Sequence, residues 1–271
     1  MRGRQPGFTL AGVSARDRSR LSFKVRHAVR NPDQILPYAR RRARDLRLSL
    51  RTTDHIGYYR GVMRSDAARG GEVAVGSPTH ELWLMAGQMQ FDYLLGHGLE
   101  HSMRMLEIGC GNLRAGRLFI DYLAPDRYHG IDISPDILLG ALDTITDYRL
   151  QAKRPSLTLV GDLKLGFLPD EAFDVVHAHS VFSHSPIEVI DECLQNVGRI
   201  MAPGGFFDFT FNRTEGAEHH VLREDFYYQT KTLTALAAKY GLRARSEQDW
   251  EPLHRQSKLR VTHSVDGLIS G

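Results

Sequence analysis

The chain has 271 residues, 42% hydrophobic and 25% charged, with a formal net charge of +3, which suits one globular catalytic domain with an extension and excludes collagen-like, mucin-like and low-complexity classes. No run reaches the ~18 apolar residues of a membrane-spanning helix, and the arginine-rich start lacks the apolar core of an export signal. Only Cys110 and Cys193 are present, too few for a disulfide framework or a zinc clip, so a reducing cytoplasm is expected.

Residues 1–51 hold fourteen Arg and Lys against three acids, about +11, which leaves about −8 for the remainder. Such a basic arm suits a grip on nucleic acid, a phosphorylated substrate or a membrane surface. It equally suits an arm laid on the acidic body of its own or a neighbouring subunit, which would make a homo-oligomer; an organelle transit peptide is a further reading of an arginine-rich, serine-containing start. Ile35, Ala39, Ala43, Leu46 and Leu50 recur at helical spacing, with Arg40, Arg44, Arg47 and Arg51 on another face. That pattern predicts an amphipathic helix opened by Asn31, Pro32 and Asp33. Residues 64–78, with Gly70, Gly71, Gly76 and Pro78, read as a linker. The expected organisation is a basic helical extension and linker over 1–76 and a catalytic domain over 77–271.

Ser77 and Pro78 open a helix whose stripe runs through Leu82, Ala86, Met89 and Tyr93 until Gly96, His97 and Gly98 end it. Trp83, Gln88 and Gln90 are lid candidates on it, with core packing the safer role for Trp83. Strands are expected at 103–108, 127–131, 157–160, 173–178, 204–211, 242–247 and 258–263. Helices are expected at 113–123, 135–150, 186–201 and 230–240. Strands separated by helices of that length imply crossover connections and a mostly parallel sheet covered on both faces.

MLEIGCGNLRAG (105–116) is the first strand-to-helix turn. In an open parallel sheet, ligands sit beyond such turns, and Gly109 and Gly111 let the backbone approach a ligand closely. A dinucleotide loop needs a third glycine where this chain has Arg114. Glu107 precedes the glycines, an acid unsuited to a pyrophosphate and suited to a cationic amino group. Asp132 ends the next strand, where a carboxylate can accept two ribose hydroxyls, and Asp162 ends the third. The set describes a nucleoside carrying a positively charged amino acid.

LEIGCG (106–111), GIDIS (130–134), GDL (161–163), FDVVHAHSVFSH (173–184) and GRIMAPGGFF (198–207) follow in order at βα spacing. On these segments the chain resembles the class I S-adenosylmethionine-dependent methyltransferases over roughly 79–265. The resemblance implies an α/β, Rossmann-like seven-stranded sheet with its last strand antiparallel and helices on both faces. It implies S-adenosyl-L-methionine as cofactor: Glu107 and the backbone of Gly109, Cys110 and Gly111 at the methionine part, Asp132 with Ile133 at the ribose, Asp162 with Leu163 at the adenine. The Cys110 side chain is expected to be a small buried filler.

A hydroxyl acceptor must lose a proton, so histidines after the fourth strand matter. His184 and His179 are the catalytic candidates, and His177 is expected in the core. An H-x-H pair can bind metal from one strand face, with Asp208 or His219 completing the set, but no metal is assigned. His219, His220, Glu224, Asp225, Tyr227 and Tyr228 lie where relatives build acceptor pockets. SHSP (183–186) departs from the signature of base-amino methyltransferases, and no Pro-Cys loop or glutamate pair suits a pyrimidine carbon or a guanidinium. A small hydroxylated or glycan acceptor is therefore favoured over an amine nitrogen. A polyanion methyltransferase using the arm and an inactive scaffold are the competing readings.

Overall fold

The computed structural model describes residues 35–250 and 256–264. The chain divides into two compact units after Arg47, and helix α1 (Ile35–Ser49) straddles that division. Leu46 and Leu50, from the stripe expected to dock, are exposed. The expected helix opening at Asn31 to Asp33 lies outside the described residues, as does most of the arm on which the oligomer and polyanion expectations rest. No described helix is long and apolar enough to cross a membrane.

In the second unit three helices precede the first strand: α2 (His55–Ala67), the single turn α3 (Gly71–Ala74) and α4 (His80–Gly96). Asp54 caps α2, its carboxylate accepting the Gly57 amide at 2.6 Å, which satisfies one of the orphan donors of the first turn. Tyr58 and Val62, one turn apart, are buried. Residues 64–78 are therefore not a free linker. α2 runs through the start of this stretch, and Arg114 ties down its end, donating from Nη1 to the Val75 carbonyl at 2.7 Å. The compact unit that holds the sheet begins at Leu48, so the helices before Ser77 group with it. Gly70 and Gly76 mark turns between short packed elements rather than a tether.

The sheet is built from β1 (Met105–Ile108), β2 (Tyr128–Asp132), β3 (Ser156–Leu159), β4 (Phe173–Ala178) and β5 (Met201–Arg213), parallel in the order β3-β2-β1-β4-β5. β9 (Ser257–His263) lies antiparallel against β5, and β8 (Leu242–Glu247) antiparallel against β9. This is the expected seven-stranded arrangement with its last strand reversed. Helices α5 (Gly116–Tyr122), α6 (Pro135–Asp147), α7 (Ile187–Ile200) and α8 (Thr230–Lys239) follow β1, β2, β4 and the β5 excursion. Unforeseen is a hairpin, β6 (His219–Val221) and β7 (Asp225–Tyr228), whose second strand extends the end of β5 through Asn212 and Arg213. Its turn holds Leu222 at φ 56°, so it lacks the glycine or asparagine that marks most such turns.

Apolar side chains form two buried clusters, one including Phe182, Phe207, Phe209, Leu194 and Leu233, the other Leu94, Phe119, Ile120 and Met105. Each such side chain contributes about 1.5–3 kcal/mol on full burial. One face also carries a polar row in register: Glu107 opposite His177, His177 opposite Asp208, and Asp208 opposite Arg260. Arg260 closes it with two hydrogen bonds to Asp208, at 2.8 and 2.7 Å, the bidentate geometry that makes a buried charge pair tolerable.

α4 sits hard on the first loop. A Cβ at Gly87 would lie 2.2 Å from the Arg114 carbonyl oxygen. Gly87→Ala should therefore lower stability by about 1–3 kcal/mol, the usual cost of overpacking. Denaturant unfolding should show a lowered midpoint at constant slope; an unchanged midpoint would mean that helix and loop are not in contact.

Candidate active site

The rim begins at the loop after β1. Gly109 and Gly111 take φ values of 68° and 56°, the left-handed region that glycine enters without a Cβ penalty. Side chains would not fit in any case: a Cβ at Gly109 would meet Val181 at 2.4 Å, and one at Gly111 would meet Val75 at 2.9 Å. The amides of Gly109 and Cys110 both donate to the Ile131 carbonyl, at 2.7 and 3.0 Å, and that of Gly111 donates to Asp132 Oδ2 at 3.0 Å. With these donors engaged, the loop is a better partner for a cationic group than for a phosphate, which needs free amides. Cys110 is a buried filler against Gly130, and burial raises its pKa well above the ordinary thiol range.

Asp132, at the end of β2, is brought to the loop. Its Oδ1 accepts the Ser134 amide at 2.8 Å while Oδ2 holds Gly111. Burial pushes its pKa up to about 6, against the pull of those backbone bonds. Ile133 follows, partly buried, and its carbonyl accepts from Arg60 Nε at 2.6 Å. Arg60 Nη2 reaches the Val160 carbonyl at 3.0 Å, so one guanidinium from α2 bridges the ends of β2 and β3. The side chain of Asp162 is 48% exposed, and its Oδ1 accepts the Lys164 amide at 3.1 Å. Leu163 is buried, and its amide donates to Glu192 Oε2 at 2.8 Å.

The Oε2 of Glu107 accepts the Tyr128 hydroxyl, and a Cβ on Gly116 would lie 2.9 Å from that same oxygen. Burial pushes its pKa up to about 8, with the Tyr128 bond and the nearby Arg114 pulling the other way. Glu107 is thus enclosed against Tyr128 rather than open at the rim, and burial favours its protonated form. Trp83 does similar work, donating from Nε1 to Asn112 Oδ1 at 3.0 Å. Gln88 is exposed and bonded to Asp92. Gln90 donates to the Ala86 carbonyl and so presents Oε1 to His177 Nε2 at 3.3 Å. None of the three is a lid.

The histidines separate. His177 is wholly buried, and burial holds its pKa well below the usual range. His179 is buried with its ring against Trp250, centroids 5.7 Å apart. His184 stands differently: Nδ1 donates to the Glu224 carbonyl at 2.8 Å, with Asp225 Oδ1 at 3.3 Å, and its side chain is 30% exposed. That fixes the tautomer and leaves Nε2 as the basic nitrogen. Tyr59 of α2 lies beside it at 5.7 Å, and His55 stacks on Tyr59 at 5.9 Å. Burial raises the Tyr59 pKa, helped by the charge of Asp132, and its ring lies beside that of His184. The H-x-H metal set is not assembled, because Arg260 occupies Asp208 and His219 stacks on Tyr227 in the hairpin. Tyr228 donates to the Ser185 carbonyl, which is packing.

Tyr59, Arg60 and His55 carry no motif and went unassigned in the sequence. The signal that could have found α2 is Asp54 as an N-cap before Tyr58, Tyr59, Val62 and Met63, apolar pairs one turn apart.

Residues 106–207 match the family model described as a methyltransferase domain. Among solved structures, the fold is similar to that of the magnesium protoporphyrin IX methyltransferase from Synechocystis PCC 6803 with bound SAM, at 14% identity and TM-score 0.61 over 79% of this chain and 99% of that one. A SAM-dependent methyltransferase from Leishmania major is similar at 14% identity and TM-score 0.60, over 78% and 86%. The 4+2 cyclase SpnF is similar too, at 17% identity and TM-score 0.51 over 65% and 82%, so likeness of fold at this level does not fix the reaction.

Both Glu107 and Asp132 are raised above their ordinary values of 4.5 and 3.8. A raised folded-state pKa gives stability that is complete below the unfolded value and is lost as pH climbs through the folded one. The melting temperature should therefore fall between pH 4 and pH 8, and Glu107→Gln should flatten the upper part of that fall. A variant profile parallel to that of the parent would contradict the burial of a protonated Glu107.

Proposed function

We propose that the chain, whose residues 106–207 match a methyltransferase domain, is a class I S-adenosylmethionine-dependent methyltransferase that methylates a hydroxyl oxygen of a small hydroxylated or sugar-containing acceptor, with His184 as the base. The observation that carries this reading is the anchored imidazole: Nδ1 is held by Glu224 and Asp225, and Nε2 is left to take a proton.

Bound S-adenosylmethionine supplies a methyl group already activated by its positively charged sulfur. The residues here fit that cofactor. Asp132 has acceptor capacity beyond its two backbone amides, since a carboxylate offers about four lone-pair sites, and it is the group to hold the ribose hydroxyls. The glycine loop offers carbonyls and close approach to the amino-acid end. Ile133, Asp162 and Leu163 lie around the adenine position, where the Leu163 amide would exchange Glu192 for a ring nitrogen.

On the acceptor side His184 Nε2 would take the proton of the acceptor hydroxyl as that oxygen receives the methyl group supplied by the cofactor. The resulting imidazolium is stabilised by Asp225 Oδ1 at 3.3 Å and by the Glu224 carbonyl. Tyr59, His55 and Phe226 form an aromatic wall beside it, His55 meeting Phe226 edge-on at 5.7 Å, a surface that suits a hydroxylated ring or the apolar face of a sugar. Positioning by such walls is the larger share of catalysis in methyl transfer; proton removal adds about 10² to 10⁴ in rate. His179, set against Trp250, would line the floor rather than move a proton.

S-adenosylhomocysteine at one hundred times its Kd should stabilise the protein by about 2.7 kcal/mol, read as a rise in melting temperature, and Asp132→Ala should abolish the rise. His184→Ala should keep the ligand-induced rise and lose about 10² to 10⁴ in turnover of hydroxylated acceptors. A variant that turns over like the parent would remove His184 from the reaction.

A further inference from the structure

Where α4 ends and β8 leaves the sheet, His97, Glu247 and Asp249 each place a ligand atom within 4.8 Å of the others. His97 Nδ1 lies 2.7 Å from the Tyr93 carbonyl. A carbonyl only accepts, so Nδ1 carries a hydrogen, and the ring is further held by stacking on Tyr93 at 4.0 Å. His97 Nε2 is then directed at Asp249 Oδ2, 2.8 Å away. In the neutral ring that is a lone pair facing a carboxylate oxygen; a proton on Nε2, giving an ion pair, or a metal cation in its place makes the contact attractive.

A histidine whose Nδ1–H is tied to a backbone carbonyl and whose Nε2 faces carboxylates has the outer-shell support typical of a metal-bound imidazole. The Glu247 side chain is 6% exposed, although Arg245 donates to its Oε1 at 3.0 Å. The Asp249 side chain is 61% exposed, which leaves a route for a cation and for solvent. The other charge facing this corner, Lys258, is turned away: its Nζ sits between the Tyr93 and Trp250 rings, 3.9 and 4.1 Å from their centroids.

We propose that His97, Glu247 and Asp249 bind a divalent cation of the zinc type, with solvent completing a four-coordinate shell. One imidazole and two carboxylates with an open position suit that ion, at metal–ligand distances of about 2.0–2.2 Å. The ion ties the C-terminal end of α4 to the end of β8, next to Trp250, whose ring borders both Lys258 and His179.

The test uses the full-length chain, stripped with a chelator and titrated calorimetrically with Zn²⁺ alone, so that its outcome is independent of the methyl-transfer reading. The parent protein should bind one equivalent, and His97→Ala and Asp249→Asn should each weaken binding at least tenfold. Asp249 is exposed, so its variant remains informative if His97→Ala fails to fold. No binding by the parent, leaving His97 and Asp249 as a simple ion pair, would overturn the proposal. Equal binding by the folded variants would also overturn it, by placing the ion on other histidines.

Discussion

The rim of the sheet is organised by a buried carboxylate accepting two backbone amides from opposite sides. Asp132 takes the amide of Gly111 on one oxygen and that of Ser134 on the other, which joins the loop after β1 to the start of α6. A carboxylate in that position would be costly to desolvate alone; hydrogen bonds to a charged acceptor contribute about 1.5–3 kcal/mol each and offset it. The glycines must then take the left-handed conformations they show, because the Gly111 amide has to point at β2 while the chain turns into α5. Loop geometry, strand end and helix start are thus one coupled feature.

The functional arrangement depends on what covers that rim. α2 crosses it with Arg60 bonded to two strand-end carbonyls and Tyr59 beside His184. One helix therefore reaches both the ends of β2 and β3 and the proposed base, and under the proposed function the acceptor would lie between α2 and the β6–β7 hairpin. An acceptor held there would displace water and so strengthen the electrostatic contacts around it. Val75 and Val181 approach the two loop glycines from α3 and from the turn after β4, so the surface over the loop is apolar as well as close.

Most of the fold was legible in the sequence because it rests on periodicity. β4 and β8 fall where alternation places them, and the remaining core elements shift by a few residues at their ends. The β1 loop was legible because glycine, acid and strand end occur together. Two elements were not. α2 contains Gly57 and Gly61, which lower helix propensity, and the glycines after it imitate a linker; only tertiary packing of Tyr58 and Val62 decides the matter. The hairpin turn uses Leu222 where turn chemistry would ask for glycine. Sequence gives the identity of Glu107 as an acid but not its enclosure, which the contact with Tyr128 beneath a helix start shows. His184 was singled out by position, but the carbonyl that fixes its tautomer belongs to Glu224, forty residues away.

Hydrogen–deuterium exchange of the full-length protein with and without S-adenosylhomocysteine tests most directly whether the cofactor occupies the rim organised by Asp132. Slowed exchange should appear together in residues 55–67, 105–116 and 130–136, the cover, the glycine loop and the β2 end. Protection that bypasses all three, or is confined to the 219–228 hairpin, would contradict the assignment.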